Sequence, residues 1–320
     1  MKKFLFSLLF LVIFFPLCCL ADTDYPYPVA YFNFQSQNQA LKMAYMDVQS
    51  QHPNGKIVLL LHGKSFNGRY WEDVIRFLKS NGYRVIVPEQ LGFGRSSQPE
   101  HYQFSFQALA MNTHALLESL HIEKIIVVGH SMGGMLATRF TLMYPKQTTA
   151  LVLEDPIGLE DWKLYIPYHS VDEWCQQELK QTPESIKQSE INNHYGRWRP
   201  EYERWVNVDQ LKSPNYKNIA WNSALLTDMI FTQPVLYEFK NLRAPTLLII
   251  GQLDRTVVAK NWAPSSIRDK LGNYPELGKK AAMAMPDSKL ILIPNSGHIP
   301  HIEQPDAFYK ALLPFLNSIQ

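Results

Sequence analysis

Between an apolar stretch ending at Val128 and an apolar-periodic stretch starting at Met132 lies the run Gly129-His130-Ser131-Met132-Gly133-Gly134. Few chain paths accommodate it. A serine hydroxyl is a weak nucleophile unless it is exposed, oriented and set beside a base. A tight strand-to-helix turn lifts such a serine above a sheet, and the turn needs small neighbours, here Gly129 and Gly133. The N-terminus of the following helix also presents free N–H groups to developing negative charge. The run therefore predicts a βα unit with Ser131 at its apex.

The rest of the chain supplies the sheet. Val29 to Phe34 and Ala40 to Val48 alternate apolar and polar residues, as edge strands opening a sheet antiparallel would. Ile57 to Leu61, Arg84 to Val87, Ile125 to Val128, Ala150 to Leu153, Thr246 to Ile250 and Leu290 to Ile293 are continuously apolar, as strands covered on both faces are. Helical patterns at Tyr70 to Lys79, Phe106 to Leu120, Met132 to Met143 and Asp306 to Leu316 separate most of them. Strand alternating with helix predicts an α/β fold, a mostly parallel sheet with helices on both faces. Residues 155–240 break the alternation with charged residues and aromatics, and read as a helical cap over the sheet. The core is then 22–154 together with 241–320. A smaller insertion at 262–287 has no readable role.

Lys2 and Lys3, the apolar run Phe4 to Leu20 and small Ala21 read as a signal peptide over 1–21, which predicts a secreted or periplasmic protein. A retained anchor and a lipoprotein at Cys18 or Cys19 are the alternatives; Leu17 is a poor context for lipid attachment. Loss of the two lysines lowers the net charge from +2 to zero, with 29 acids and as many bases. A neutral chain gives no electrostatic reason to expect nucleic acid or an anionic membrane as partner, and a small-molecule substrate is the expectation. Cys175 is left alone, so no internal disulfide forms.

A nucleophilic serine needs a base, and the base needs an orienting acid. In the order serine, acid, histidine, Asp254 ends a buried strand and His298 follows another. His298 would shuttle the proton while Asp254 fixes its tautomer. His301 is a rival base; Glu154, Asp155 and, less well placed, Asp228 are rival acids. The backbone N–H groups of Met132 and Lys64 are the expected oxyanion hole, with Ser65 as second choice to Lys64. Cap aromatics such as Trp162 and Trp198 are candidates for substrate contact. No spaced ligand set suggests a metal, and Gly92-Phe93-Gly94-Arg95-Ser96 lacks what a phosphate loop needs, so no cofactor is expected.

These pieces together resemble the α/β-hydrolase superfamily: Leu61-His62-Gly63, Leu91-Gly92-Phe93-Gly94-Arg95-Ser96, the run around Ser131, Gly251-Gln252-Leu253-Asp254 and Gly297-His298. Within it, His62-Gly63-Lys64-Ser65-Phe66, Gly158-Leu159-Glu160-Asp161-Trp162-Lys163 and Leu271-Gly272-Asn273-Tyr274 resemble a group of secreted bacterial hydrolases of unassigned substrate. Haloalkane dehalogenases and epoxide hydrolases of this fold carry aspartate where Ser131 stands. The resemblance thus implies esters, thioesters, amides or carbon–carbon bonds of activated ketones. Lys64 departs from a position that is often aromatic, and its ammonium would add a cation beside the acyl pocket, favouring acidic esters. The leading expectation is hydrolysis of a carboxylic ester with a small or medium apolar part. The alternatives are an amidase like the prolyl aminopeptidases, with Glu173, Glu178, Glu201 or Glu203 holding a free amine, and a ligand-binding relative without turnover.

Overall fold

The computed structural model describes residues 24–206 and 208–319; the expected signal peptide lies outside them. Its first two strands, β1 (Val29–Ser36) and β2 (Gln39–Val48), pair antiparallel. They turn at Gln37 and Asn38, both with positive φ (50° and 61°), the geometry that lets a two-residue hairpin follow the natural strand twist. Beyond them come β3 (Ile57–Leu61), β4 (Arg84–Pro88), β5 (Ile125–His130), β6 (Thr148–Glu154), β7 (Thr246–Gly251) and β8 (Ser288–Ile293). The eight strands lie in the order β1-β2-β4-β3-β5-β6-β7-β8. β2 meets β4 antiparallel, and every pairing from β4 to β8 is parallel.

Continuous apolarity in the central strands has the predicted cause. In β3, Leu59 and Leu61 face one core while Val58 and Leu60 face the other, and all four are fully buried. The first core is closed by α2 (Phe106–Ser119) and α3 (Met132–Met143), and the second by α1 (Glu72–Ser80) and α10 (Pro305–Ser318). Each fully buried aliphatic side chain contributes about 1.5–3 kcal/mol, so polar residues on either face of these strands would be costly.

After β6 the chain leaves the sheet. It forms α4 (Val171–Leu179), α5 (Pro183–Asn193), α6 (Tyr216–Thr232) and several 3-10 turns, with no strand among the described residues until β7. α4 packs on α6. The stretch 262–287 is not an insertion with a role of its own. It holds α7 (Ser265–Arg268) and α8 (Tyr274–Ala284), and α8 packs on both β7 and β8. Two adjacent parallel strands require such a crossover, and its Pro, Gly and Lys content disguised the helix. A short helix, α9 (Pro300–Glu303), follows the β8 loop. Among the described residues no helix is long and apolar enough to cross a membrane.

Candidate active site

Ser131 sits at the junction of β5 and α3 with φ 57° and ψ −121°. That conformation is unfavourable for a residue with a side chain and persists only where the surroundings hold it. Here they do: the Ser131 N–H donates to the Glu154 carbonyl (3.2 Å), and its own carbonyl accepts from Gly134 and Ile157 (2.9 and 3.2 Å). The glycines serve close approach. A Cβ on Gly129 would stand 2.1 Å from the Gly133 carbonyl oxygen, and one on Gly133 would stand 2.1 Å from that of Leu61. Met132 opens α3, so its amide has no carbonyl four residues back within the helix and is free to face an oxyanion.

At the C-terminal ends of β7 and β8 the structure brings Asp254 and His298 together. Nδ1 of His298 and Oδ2 of Asp254 are 2.8 Å apart, both side chains essentially inaccessible to solvent. Oδ1 of Asp254 accepts from the Thr256 N–H (2.8 Å). Nε2 of His298 is buried without a hydrogen-bond partner. Catalytic contacts of this kind are often loose until substrate arrives.

A second acid lies behind the first. Asp155 directly follows β6, and its carboxyl accepts from the Gly251 N–H at 3.0 Å. Burial, then the charge of Asp254 and a hydrogen bond to it, push the Asp155 carboxyl well above its usual range. Burial also pushes Asp254 up, but the positive charge of His298 and the hydrogen bonds from His298, Asp155 and Thr256 outweigh it, and Asp254 falls below its ordinary value. The opposite directions of the two shifts favour Asp155 as donor and Asp254 as acceptor between them. These hydrogen bonds also occupy the Asp155, Asp254 and His298 atoms that could otherwise converge on a cation.

His130 ties the loops to one another, and its donor and acceptor roles follow from its partners. Its Nε2 is 2.7 Å from the His298 carbonyl oxygen, which only accepts, so Nε2 carries the hydrogen. The Gly63 N–H donates to the Tyr70 hydroxyl (3.1 Å), which in turn donates to Nδ1 of His130 (2.9 Å). Burial, then the neighbouring charges of His298 and His301, hold His130 well below its usual pKa, as this neutral tautomer requires. One chain of hydrogen bonds thus joins the loop after β3, the Ser131 turn and the His298 backbone.

The remaining candidates are engaged elsewhere. His301 is buried against Trp71, and its Nδ1 lies 2.9 Å from both oxygens of Glu154; the rival base and one rival acid satisfy each other. Asp228 accepts from the Tyr168 hydroxyl (3.0 Å). Trp162 is buried with its Nε1 on Glu160, and Trp198 packs edge-on against Tyr195 and Tyr202. Neither is among the residues that line the cavity between the loops after β3 and β4 and the helices α4, α5 and α6. Lys64 does not stand as a free cation: its Nζ is 3.1 Å from Glu178 Oε1 and 2.7 Å from Ser223 Oγ. Of the acids that could hold an amine, Glu178 is thereby committed, Glu173 caps α4 from Ser170, Glu203 pairs with Lys187 (2.7 Å) and Glu201 lies 3.9 Å from Arg199.

His194 and Glu303 were not legible beforehand. His194 stacks on His298 (centroids 5.3 Å apart, 20° between planes), and its carbonyl accepts from the His298 N–H at 2.6 Å. Its Nδ1 is 2.6 Å from Glu190. Glu303 accepts from the N–H groups of Gly196, Gly297 and Ile299 (2.9, 2.9 and 3.3 Å), joining the 194–196 loop to the His298 loop. A helical His in an interval without strand pattern carries no local sign of this; a Glu five residues after a Gly-His pair is the one weak signal.

Sheet order, the Ser131 turn and the acid–histidine pair define a class, and the chain belongs to the alpha/beta hydrolase fold family, whose model matches residues 56–305. It is similar to a protein from Pseudomonas aeruginosa PAO1 described as a probable hydrolytic enzyme, with 51% identity and a TM-score of 0.90 over 92% of this chain and 95% of that one. It is also 27% identical to a 2-hydroxy-6-oxononadienedioate/2-hydroxy-6-oxononatrienedioate hydrolase of Comamonas testosteroni, over 82% of this chain and 88% of that one. Lipase 1 of Psychrobacter immobilis is 26% identical, over 87% of this chain and 82% of its own length. Family and relatives support hydrolysis as the general activity.

Proposed function

We propose that this protein cleaves a carboxylic ester through an acyl-enzyme on Ser131. The observation that carries the reading is the buried His298–Asp254 hydrogen bond of 2.8 Å at the same sheet edge as the strained Ser131 turn. In the first half, the Ser131 oxygen bonds to the ester carbonyl carbon while its proton passes to Nε2 of His298. Ionised Asp254 stabilises the imidazolium, and the N–H groups of Met132 and Lys64 receive the oxyanion. The carbon–alkoxide bond then breaks, and His298 returns the proton to the departing alcohol. In the second half, water gives a proton to His298 as its oxygen bonds to the acyl carbon; the carbon–Ser131 oxygen bond then breaks, His298 returns the proton to the serine, and the acid leaves. Segment 155–240 acts in this reading as a cap, and the chain as an exported enzyme.

The partly buried pairing of Glu178 with Lys64 weakens the aminopeptidase alternative. The test is labelling by a fluorophosphonate together with a panel of ester and aminoacyl chromogenic substrates, run beside Ser131→Ala. Labelling and ester turnover should both vanish in the variant. Wild-type protein that stays unlabelled would leave a ligand-binding relative, and turnover that survives in Ser131→Ala would sink the mechanism.

A further inference from the structure

A cavity of about 340 Å³ lies between the loops after β3 and β4 and the helices α4, α5 and α6. It falls in the usual size range of small-molecule sites. It adjoins the proposed centre on two sides. Lys64 and Phe66 follow Gly63, where an added Cβ would lie 3.1 Å from Ser131 Cβ, and Glu190 holds the His194 that stacks on His298. Its walls are unlike those of an apolar acyl pocket. Only Phe66, Phe93, Ile186 and Ile219 among its lining residues carry apolar side chains; the others are glycines or polar.

The charges inside are answered in pairs. Lys64, Glu178 and Ser223 form a closed triangle, with Ser223 Oγ donating to Glu178 Oε1 (2.7 Å), and Gln181 occupies Oε2 (2.9 Å). Glu190 is matched by His194. An ammonium has three N–H groups, and two of those on Lys64 are used within the protein. The third, with the amides of Asn67 and Gln98 in the same wall, offers hydrogen bonds without a net charge to recognise.

We propose that this cavity is a subsite for an uncharged, hydroxyl- or amide-bearing part of the substrate. The proposal rests on the ester-hydrolase reading and replaces the expected apolar partner. A purely alkyl group would strip water from these polar walls without replacing its hydrogen bonds, and an anionic group would find the Lys64 charge already answered by Glu178.

Two series of esters test it, each rate divided by the alkaline hydrolysis rate of the same ester. One varies the acyl side as 4-nitrophenyl esters: butyrate against 3-hydroxybutyrate, and hexanoate against the adipate half-ester. The other varies the alcohol side as acetates: propyl against 2,3-dihydroxypropyl. Wild type should prefer the hydroxylated member in kcat/KM by about tenfold or more in one series, which identifies the side that occupies the cavity. Ser223→Ala should cut that preference at least about threefold. Glu178→Gln frees the Lys64 charge and should raise about tenfold the preference for a carboxylate-bearing ester in whichever series identified the side, adipate half-ester over hexanoate for the acyl side or 3-carboxypropyl over butyl acetate for the alcohol side. Alkyl preference in both series, or a charge preference unmoved by Glu178→Gln, overturns the subsite. Fluorophosphonate labelling of wild type separates the failures: a labelled enzyme that prefers alkyl esters loses only the subsite, while an unlabelled one loses the hydrolase reading.

Discussion

Asp155 and Asp254 follow adjacent strands, and their carboxyls shift in opposite directions, Asp155 up and Asp254 down. Asp155 has its carboxyl raised by burial and by Asp254, so the folded state holds a proton that the unfolded chain releases above about pH 4. Stability from this residue therefore falls as pH rises from about 4 through the raised folded value. Asp155→Asn keeps a donor toward Asp254 and an acceptor for the Gly251 N–H while removing the titration. Urea unfolding at several pH values should show it gaining on wild type as pH rises above about 4; parallel profiles would contradict the assignment. Tyr70→Phe makes a different prediction. It leaves the Gly63 N–H and His130 Nδ1 without a partner, at a cost of about 1–3 kcal/mol. Because it loosens the joined loops, kcat should drop about tenfold with KM little changed. Steady-state kinetics on any ester turned over would reveal an unaffected kcat. The positions of Ser131, Asp254 and His298 at one sheet edge were visible in the sequence because each follows an apolar run where it meets polar residues. Asp155 was visible as a rival acid, but its role depends on whether a second carboxylate stands within hydrogen-bond reach, which no spacing encodes.

At the level of elements, the turn between β5 and α3 tolerates nothing larger than glycine at two places. Gly133→Ala places a Cβ against the Leu61 backbone, which cannot swing aside as a side chain could. Loss of about 3 kcal/mol or more is expected, read as a fall of several degrees in Tm. A second element-level device joins α9 to the 194–196 loop. Burial raises the Glu303 carboxyl to about 7 against the lowering effect of the N–H groups of Gly297, Gly196 and Ile299. With its folded value raised, its contribution is present below about pH 4 and fades as pH climbs toward 7, by about 3 kcal/mol in all. Glu303→Gln should flatten that part of the stability profile, and a slope that persists would assign the titration elsewhere. The strands and the helices α1, α2, α3 and α10 were legible from their periodicity, most closely α3, predicted and found at Met132 to Met143. α8 was missed because Gly278 and Lys279 interrupt its apolar pattern, while burial of Gly278 against Ile250 makes the small residue fit the sheet.

On the scale of the whole molecule, the leader expectation makes a prediction about mass. Protein recovered from an exporting host should begin at Asp22; an intact mass that retains the first 21 residues would favour an anchor. Fold class, strand positions and the nucleophile turn were determined by the sequence alone, because each rests on local rules: side-chain period, turn sterics and residue type at a strand end. Which face the aromatics of 155–240 would cover, which acids would be spent on cations, and whether Lys64 would stand free were decided only by tertiary structure. The last of these depends on a partner over a hundred residues distant, Lys64 with Glu178, as does the link of His130 to His298. A side chain's chemistry is local, but its charge state and its freedom to meet a substrate belong to whatever the fold places against it.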